Sequence, residues 1–375
     1  MTGASSQLLE TLMPELASLT VEFIANAYVL PLTKLHLAGA GRGHFDGGAY
    51  YADGNVCPAA LHIKEAYDNQ PVPFDTQGVT GQLEGSHVFG GMLQNEHFGH
   101  FMVESLCRLW ALSTLDGDFR SLVYYNRIPR APTANFIPQV LDLLCPGVPI
   151  TLIREPTRIA RLAVPTPICN PKNGVLLGHS AMAAMLAPVR ALRGAGHKRI
   201  YVSRARLKPA DGMILGETFI EKSLEAEGYH IVYPEELSIS EQFKLYNDAY
   251  MLVFADGSAA HLYALVARRN QKVFIIWRRK LNYTYIRQIQ SFGGYKVHGE
   301  STITELFVPA DAPEAVTQGK GRPDFNSLKA QLQRAGCITG RGWQAPTEDD
   351  IRRQLADIEE TLNIRLVRQT IQPGT

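Results

Sequence analysis

The sequence predicts an α/β protein of two domains, and three observations carry that expectation. Its 375 residues are more than one hydrophobic core usually serves. Between residues 198 and 277, β-rich runs alternate with stretches of helical periodicity. One run, YMLVFAD at 250–256, is apolar up to its last residue, the pattern of a strand buried on both faces. Alternation at this spacing implies right-handed βαβ units and a parallel sheet, so the second half reads as Rossmann-like.

The elements of that half follow in order. KRIYVSR (198–204) is a strand, GETFIEKSLEAEGY (216–229) a helix and HIVYP (230–234) a strand. SISEQFKLYNDA (238–249) is a helix with Ser238 as N-cap, and Glu241 three residues on completes a capping box. The strand at 250–256 leads into the helix SAAHLYALVAR (258–268) and the strand KVFIIW (272–277). The first half is less regular. An opening helix is expected near the N-terminus, and the glycine-dense GAGRGHFDGGAYYADG (39–54) reads as a turn-rich hairpin region. SLVYYN (121–126), the apolar part of PITLIRE (149–155) and RLAVPT (161–166) read as strands, and PQVLDLLC (138–145) as a helix. The expected domains are 1–190 and 195–320, with a linker near 185–197 where RGAGHK supplies flexible and polar residues. TEDDIRRQLADIEETLNIRLV (347–367) has acids in its first turn and apolar residues at helical spacing, the marks of a final amphipathic helix.

Composition narrows the function classes. The chain is 45% hydrophobic and 19% charged with a net charge of +1, so no global field draws it to nucleic acid or a membrane surface. Any anionic ligand must be held by local features. The five cysteines (Cys57, Cys107, Cys145, Cys169 and Cys337) are scattered and never spaced C-x-x-C, which argues for a reducing compartment. The first residues lack a basic n-region and a long apolar core, and no window approaches the roughly 18 apolar residues of a membrane span. A cytoplasmic protein without a transmembrane segment is the expectation.

Candidate chemistry gathers at three places. In an open parallel sheet, ligands bind outside the carboxyl ends of the strands. One strand ends in Ser203 and Arg204; another ends in Asp256, followed by Gly257 and Ser258 at a helix start. That helix start offers free N–H groups to an anion, with Arg204 and His261 as further donors. No G-x-G-x-x-G or P-loop pattern is present, so the elements suggest a nucleotide diphosphate outside the standard fingerprints. The third place is the helix NEHFGHFMVESLCRLWAL (95–112). At about 100° per residue, His97, His100, Glu104 and Arg108 fall within roughly 80° of one another. A carboxylate beside a histidine suits a general base, and Arg108 is spaced to orient Glu104. A metal site on His97, His100 and Glu104 is the alternative, although HFGH lacks the glutamate of H-E-x-x-H. Arg278, Arg279 and Lys280, after the last strand, suit either a phosphate contact or a solvated turn.

These pieces, in this order, resemble glycosyltransferase family 61. HFGHFMVESLCRLW is similar to that family's N-x-G-H-[FW]-x-x-[DE]-x-x-P-R-L-W segment, and RIYVSR to its R-x-Y-[IV]-S-R strand. PEELSISEQ and DGSAAH are similar to its later block in residue type and spacing. His97 stands where the family usually has asparagine, Cys107 where it has proline, and Asp256 where many members have histidine. The resemblance implies a GT-B fold, two Rossmann-like domains facing each other across a cleft, with the 325–375 segment returning a helix to the N-terminal domain. It also implies inverting transfer from a nucleotide sugar, UDP-linked, to a glycan acceptor in bacterial capsule or exopolysaccharide synthesis, without a metal or other cofactor. The donor-side residues it implies are Ser203, Arg204, Glu236, Asp256, Gly257, Ser258, Ala259 and His261. The acceptor-side residues are His97, His100, Glu104 and Arg108. A non-catalytic nucleotide-sugar or glycan-binding partner of an assembly complex is the alternative, and a homodimer is compatible with either.

Overall fold

The computed structural model describes residues 18–32, 35–38, 42–45, 47–62, 67–69, 71–279, 283–294, 296–314 and 316–370. The opening helix expected near the N-terminus lies outside the described residues, as does Lys280. The chain forms two compact units, Met1–Val189 and Arg190–Thr375, both α/β.

The first unit is built on a mixed sheet of six strands: β1 (Val21–Leu30), β2 (Gly48–Tyr50), β3 (Gly81–Leu93), β4 (Phe119–Asn126), β5 (Ile150–Ile153) and β6 (Thr157–Pro165). Their order across the sheet is β2-β1-β6-β3-β4-β5. β1 runs antiparallel to both its neighbours, whereas β6, β3, β4 and β5 are mutually parallel. The three expected strands of this half are all present, and α1 (Phe136–Leu144) lies where a helix was expected. Arg42–Phe45, inside the glycine-dense hairpin region, pairs antiparallel with Leu35–Ala38 just before it.

The central strand β3 was not legible, because GQLEGSHVFGGML carries four glycines. Two of them are required by the sheet itself. A Cβ on Gly90 would sit 2.5 Å from Tyr124 Cζ on the neighbouring strand. Gly91 has a φ of 94° at a register shift against β4, a bulge that only glycine adopts cheaply. Ile24, Val29, Phe89, Val123, Ile159 and Leu162 fill the core beneath.

The second unit carries the parallel sheet that the alternation predicts. Its strands are β7 (Arg199–Val202), β8 (His230–Val232), β9 (Met251–Ala255), β10 (Lys272–Ile276) and β11 (Val297–His298), ordered β8-β7-β9-β10-β11 and all parallel. Helices α3 (Glu217–Ala226), α4 (Ile239–Asp248), α5 (Ala259–Ala264) and α6 (Tyr283–Ser291) alternate with them. Every residue of β9 is buried, and Ser238 and Glu241 form the expected capping box. The order reverses between β7 and β9, and the carboxyl ends at such a switch point form the natural ligand crevice.

Three expectations change. The helix expected at 258–268 is regular only over α5, because the bonds beyond it tighten to three-residue turns such as Val266 N–H to Tyr263 O. The linker expected at 185–197 begins as helix α2 (Ala183–Ala191), and its glycines are then pinned when Asp248 Oδ2 accepts the N–H groups of Gly194, Ala195 and Gly196. The last helix, α8 (Glu348–Leu362, after α7 at Phe325–Arg334), was expected to return to the first unit. It buries Ile351 and Ile358 against Met213 and Leu215 of the second, since its apolar stripe finds its partners there.

Candidate active site

The first cluster stands just past the carboxyl end of β3. The expected single helix is three short pieces: an α-turn at Phe98–His100, a π-turn at Phe101–Ser105 and a 3-10 stretch at Leu109–Ser113. π-turns inside helices are frequent at functional sites. Here the turn keeps His100 and Glu104 on one side, with His100 Nδ1 2.6 Å from Glu104 Oε1. The Glu104 side chain is 1% exposed and that of His100 44%. Glu104 therefore faces inward and His100 meets solvent. A buried carboxylate costs several kcal/mol unless paired. Glu104 is repaid on its other oxygen, where the Gln94 amide donates to Oε2 and His62 Nε2 lies 3.2 Å away. His97 Nδ1 accepts the His100 N–H, and the two rings meet edge to face at 4.6 Å.

Arg108 does not orient Glu104 directly. Its guanidinium is buried and donates to three backbone carbonyls, Nε to Pro165 and Nη2 to Ala59 and Leu61. The break in helical geometry after Ser105 turns it away from the line that regular spacing implies. Among the described residues no group of three or more His, Cys, Asp or Glu side chains is placed to hold a metal ion.

The second cluster stands at the switch point between β7 and β9. Glu217, the first residue of α3, is buried and its Oε1 accepts from Tyr201 Oη, Ser203 Oγ and the Arg204 N–H. Burial raises the Glu217 pKa, against the pull of those hydrogen bonds. Ser203 is itself buried, with its Oγ also 2.6 Å from Glu221 Oε1. The structure thus uses Ser203 and Glu217 to fix the backbone from which Arg204 projects. Gly257 makes room for that side chain, because a Cβ there would lie 2.6 Å from Arg204 Nη1. Arg204 Nη2 donates to Gly212 O.

Asp256 is fully buried, and Arg279 Nε donates to its Oδ2 at 3.0 Å. Arg278 Nε donates to the Asp256 carbonyl and its Nη1 to Thr317 O. Burial, together with Arg279 and Arg204 and against Asp256, pushes the Arg278 pKa down to about 10. Lys320 Nζ donates to Asp211 O and Gln318 O, and burial beside Arg278 pushes it down to about 8. Four cations, Arg204, Arg278, Arg279 and Lys320, therefore share this place with Asp256, Asp211 and the buried Glu217 at the base of Arg204. An excess of positive charge held partly out of water is a site for a multiply charged anion.

The other donor-side candidates are placed differently. His261 Nδ1 is 2.6 Å from Gln288 Oε1, and its ring stacks on Tyr285 at 4.4 Å. Tyr285 in turn helps to raise the Arg279 pKa, which brings His261 to the edge of the cationic cluster through one ring. Ser258 is the N-cap of α5 and makes no side-chain cap bond, and Ala259 is the first helical residue. Glu236 is exposed and pairs with Arg206, whose guanidinium lies over the Tyr233 ring.

Sequence reasoning missed Gln94, one residue before the stretch it singled out, and His62, Tyr285 and Lys320, which reach these clusters from farther along the chain. For Arg278 and Arg279 the signal existed: two arginines directly after a buried strand, where a solvated turn was an equal reading. A search of curated proteins finds no match to the chain. Residues 98–274, which hold His100, Glu104 and Arg108 as well as Arg204, Asp256 and His261, match the family model of Glycosyltransferase 61.

Proposed function

We propose that this protein is an inverting glycosyltransferase that moves a sugar from a nucleotide-diphosphate sugar to an acceptor hydroxyl. The observation that carries the reading is the surplus of cations around Asp256, at the switch point of a parallel sheet. The family match over residues 98–274 supports it. The diphosphate would sit against Arg204 and Arg279. His100 would be the base: a carboxylate on Nδ1 favours the tautomer with its proton there, so that Nε2 carries the lone pair that takes the acceptor proton. The acceptor oxygen then attacks the anomeric carbon as the bond to the phosphate oxygen breaks. The cations stabilise the charge arriving on the leaving diphosphate, and one displacement inverts the centre. A UDP-linked donor, a glycan acceptor of polysaccharide assembly and a GT-B arrangement of the two units rest on the sequence resemblance and complete the reading.

His100→Gln is expected to lower kcat by roughly 100-fold or more, the usual size of a base contribution. Arg204→Ala is expected to act mainly through donor binding. Sugar transfer from UDP-sugars by folded variants measures both, and near-wild-type turnover in both overturns the assignment. Activity is expected to persist in EDTA. Nucleotide binding without transfer across a broad acceptor panel would point to the binding-partner reading.

A further inference from the structure

The buried side of Glu104 carries information that neither the helix nor the proposed reaction uses. Its two oxygens are divided between two imidazoles: Oε1 faces His100 at 2.6 Å and Oε2 faces His62 Nε2 at 3.2 Å. His62 comes from outside the helix, just beyond the short turn Pro58–Ala60, and its side chain is buried. A single 3-10 turn gives little rigidity of its own. What fixes it is Arg108, whose Nη2 donates to Ala59 O at 2.9 Å and to Leu61 O at 3.0 Å, the carbonyls that flank Ala60, with Leu61 directly before His62. Nε of the same guanidinium is anchored on Pro165 O, the last residue of β6. The planar fork holds two directions at once, which a lysine ammonium does not.

We propose that His62 and Arg108 are positioning residues for His100: Arg108 clamps the turn that carries His62, and His62 holds Glu104 Oε2 so that Oε1 is presented to His100. The proposal rests on the reading of His100 as the base, and it gives the arginine of the polar stripe its task by an indirect route. The groups facing the pair are His97 beside the His100 ring, Gln94 and His62 on Glu104, and Cys107 and Arg108 behind it.

The test follows the His100 imidazole by NMR titration of histidine-labelled full-length protein, which requires no turnover. Loss of a partner on Oε2 concentrates the carboxylate's charge on Oε1 and favours the His100 imidazolium. His62→Phe is therefore expected to raise the His100 midpoint, by on the order of half a pH unit or more. His62→Gln, which keeps a polar side chain near Oε2, is expected to stay near wild type. Arg108→Lys, which keeps the charge and loses the fork, is expected to shift in the same direction as His62→Phe and to add nothing to it in the double variant. In a Glu104→Gln background, His62→Phe is expected to leave the midpoint where it is. An unchanged midpoint in folded His62→Phe and Arg108→Lys proteins, or an equal shift with and without Glu104, overturns the proposal. The pH profile of kcat/KM separates it from the assignment beneath it. A midpoint that moves while the profile stays supports the positioning role and removes His100 as the base.

Discussion

Gly257 and Lys320 show how single residues set the charge of the donor-side cluster. Gly257 has no positive φ, so alanine suits its backbone, but the new Cβ would meet Arg204 Nη1 at 2.6 Å and Cδ at 2.9 Å. The side chain that yields is the arginine. Gly257→Ala is expected to weaken UDP binding by about tenfold, or 1.4 kcal/mol, with little change in urea midpoint, as read by calorimetry and denaturation. Lys320 adds a pH dependence. Its folded pKa of about 8 lies below its ordinary 10.5, so between those values the unfolded chain holds a proton that the folded protein has lost. Stability from this group therefore rises with pH across that window. A bound diphosphate works the other way, drawing the proton back, so UDP binding is expected to take up protons near pH 8.5 and to weaken as pH rises through that range. Calorimetry in buffers of different ionisation heat measures the uptake, and Lys320→Met is expected to abolish it. None of this was legible at Lys320, since neither its burial nor its contact with Arg278 leaves a local pattern. The His100–Glu104 pair was legible, because i,i+4 spacing survives the π-turn.

At the scale of elements, β3 links packing to chemistry. It is the strand whose carboxyl end delivers Gln94 and the turn bearing His100. Its glycines allow a flat passage over Tyr124, whose hydroxyl donates to Ser105 O inside the π-turn. Gly90→Ala would drive a Cβ into that buried ring, an overpacking expected to cost about 1–3 kcal/mol in urea denaturation and to lower transfer activity by displacing the π-turn. Gly90→Ala with wild-type stability would show that the ring has room to move. The same glycines hid the strand, because glycine weakens a β pattern wherever it appears. β9 and α4 were plain for the opposite reason: an unbroken apolar run and a capping box are local signals.

At the scale of the whole molecule, both units place their polar clusters outside the carboxyl ends of parallel strands, in the second unit at the point where strand order reverses. Chemistry accumulates there because strand ends converge while the helices leave exposed backbone and side chains aimed outward. Hydrogen exchange with saturating UDP is expected to protect 203–212, 256–262, 277–279, 283–294 and 316–320 (Val316 to Lys320) in the second unit, while 97–105 changes little until an acceptor is added. Protection confined to the first unit would reverse the donor and acceptor assignments. Among the described residues no helix is long and apolar enough to cross a membrane. By itself, the sequence determined the α/β class, the parallel sheet of the second unit, the placing of Arg204 and Asp256 at the carboxyl ends of strands, and the polar stripe at His100 and Glu104. These depend on periodicity, caps and composition, which act over a few residues. Only the tertiary structure decided that Arg108 donates to the carbonyls of Ala59, Leu61 and Pro165 rather than to Glu104, that α8 packs within the second unit, and that Arg278, Arg279 and Lys320 lie near Arg204. Each of those depends on which distant backbone carbonyl or side chain is brought within about 3 Å, and that is set by the folded chain as a whole.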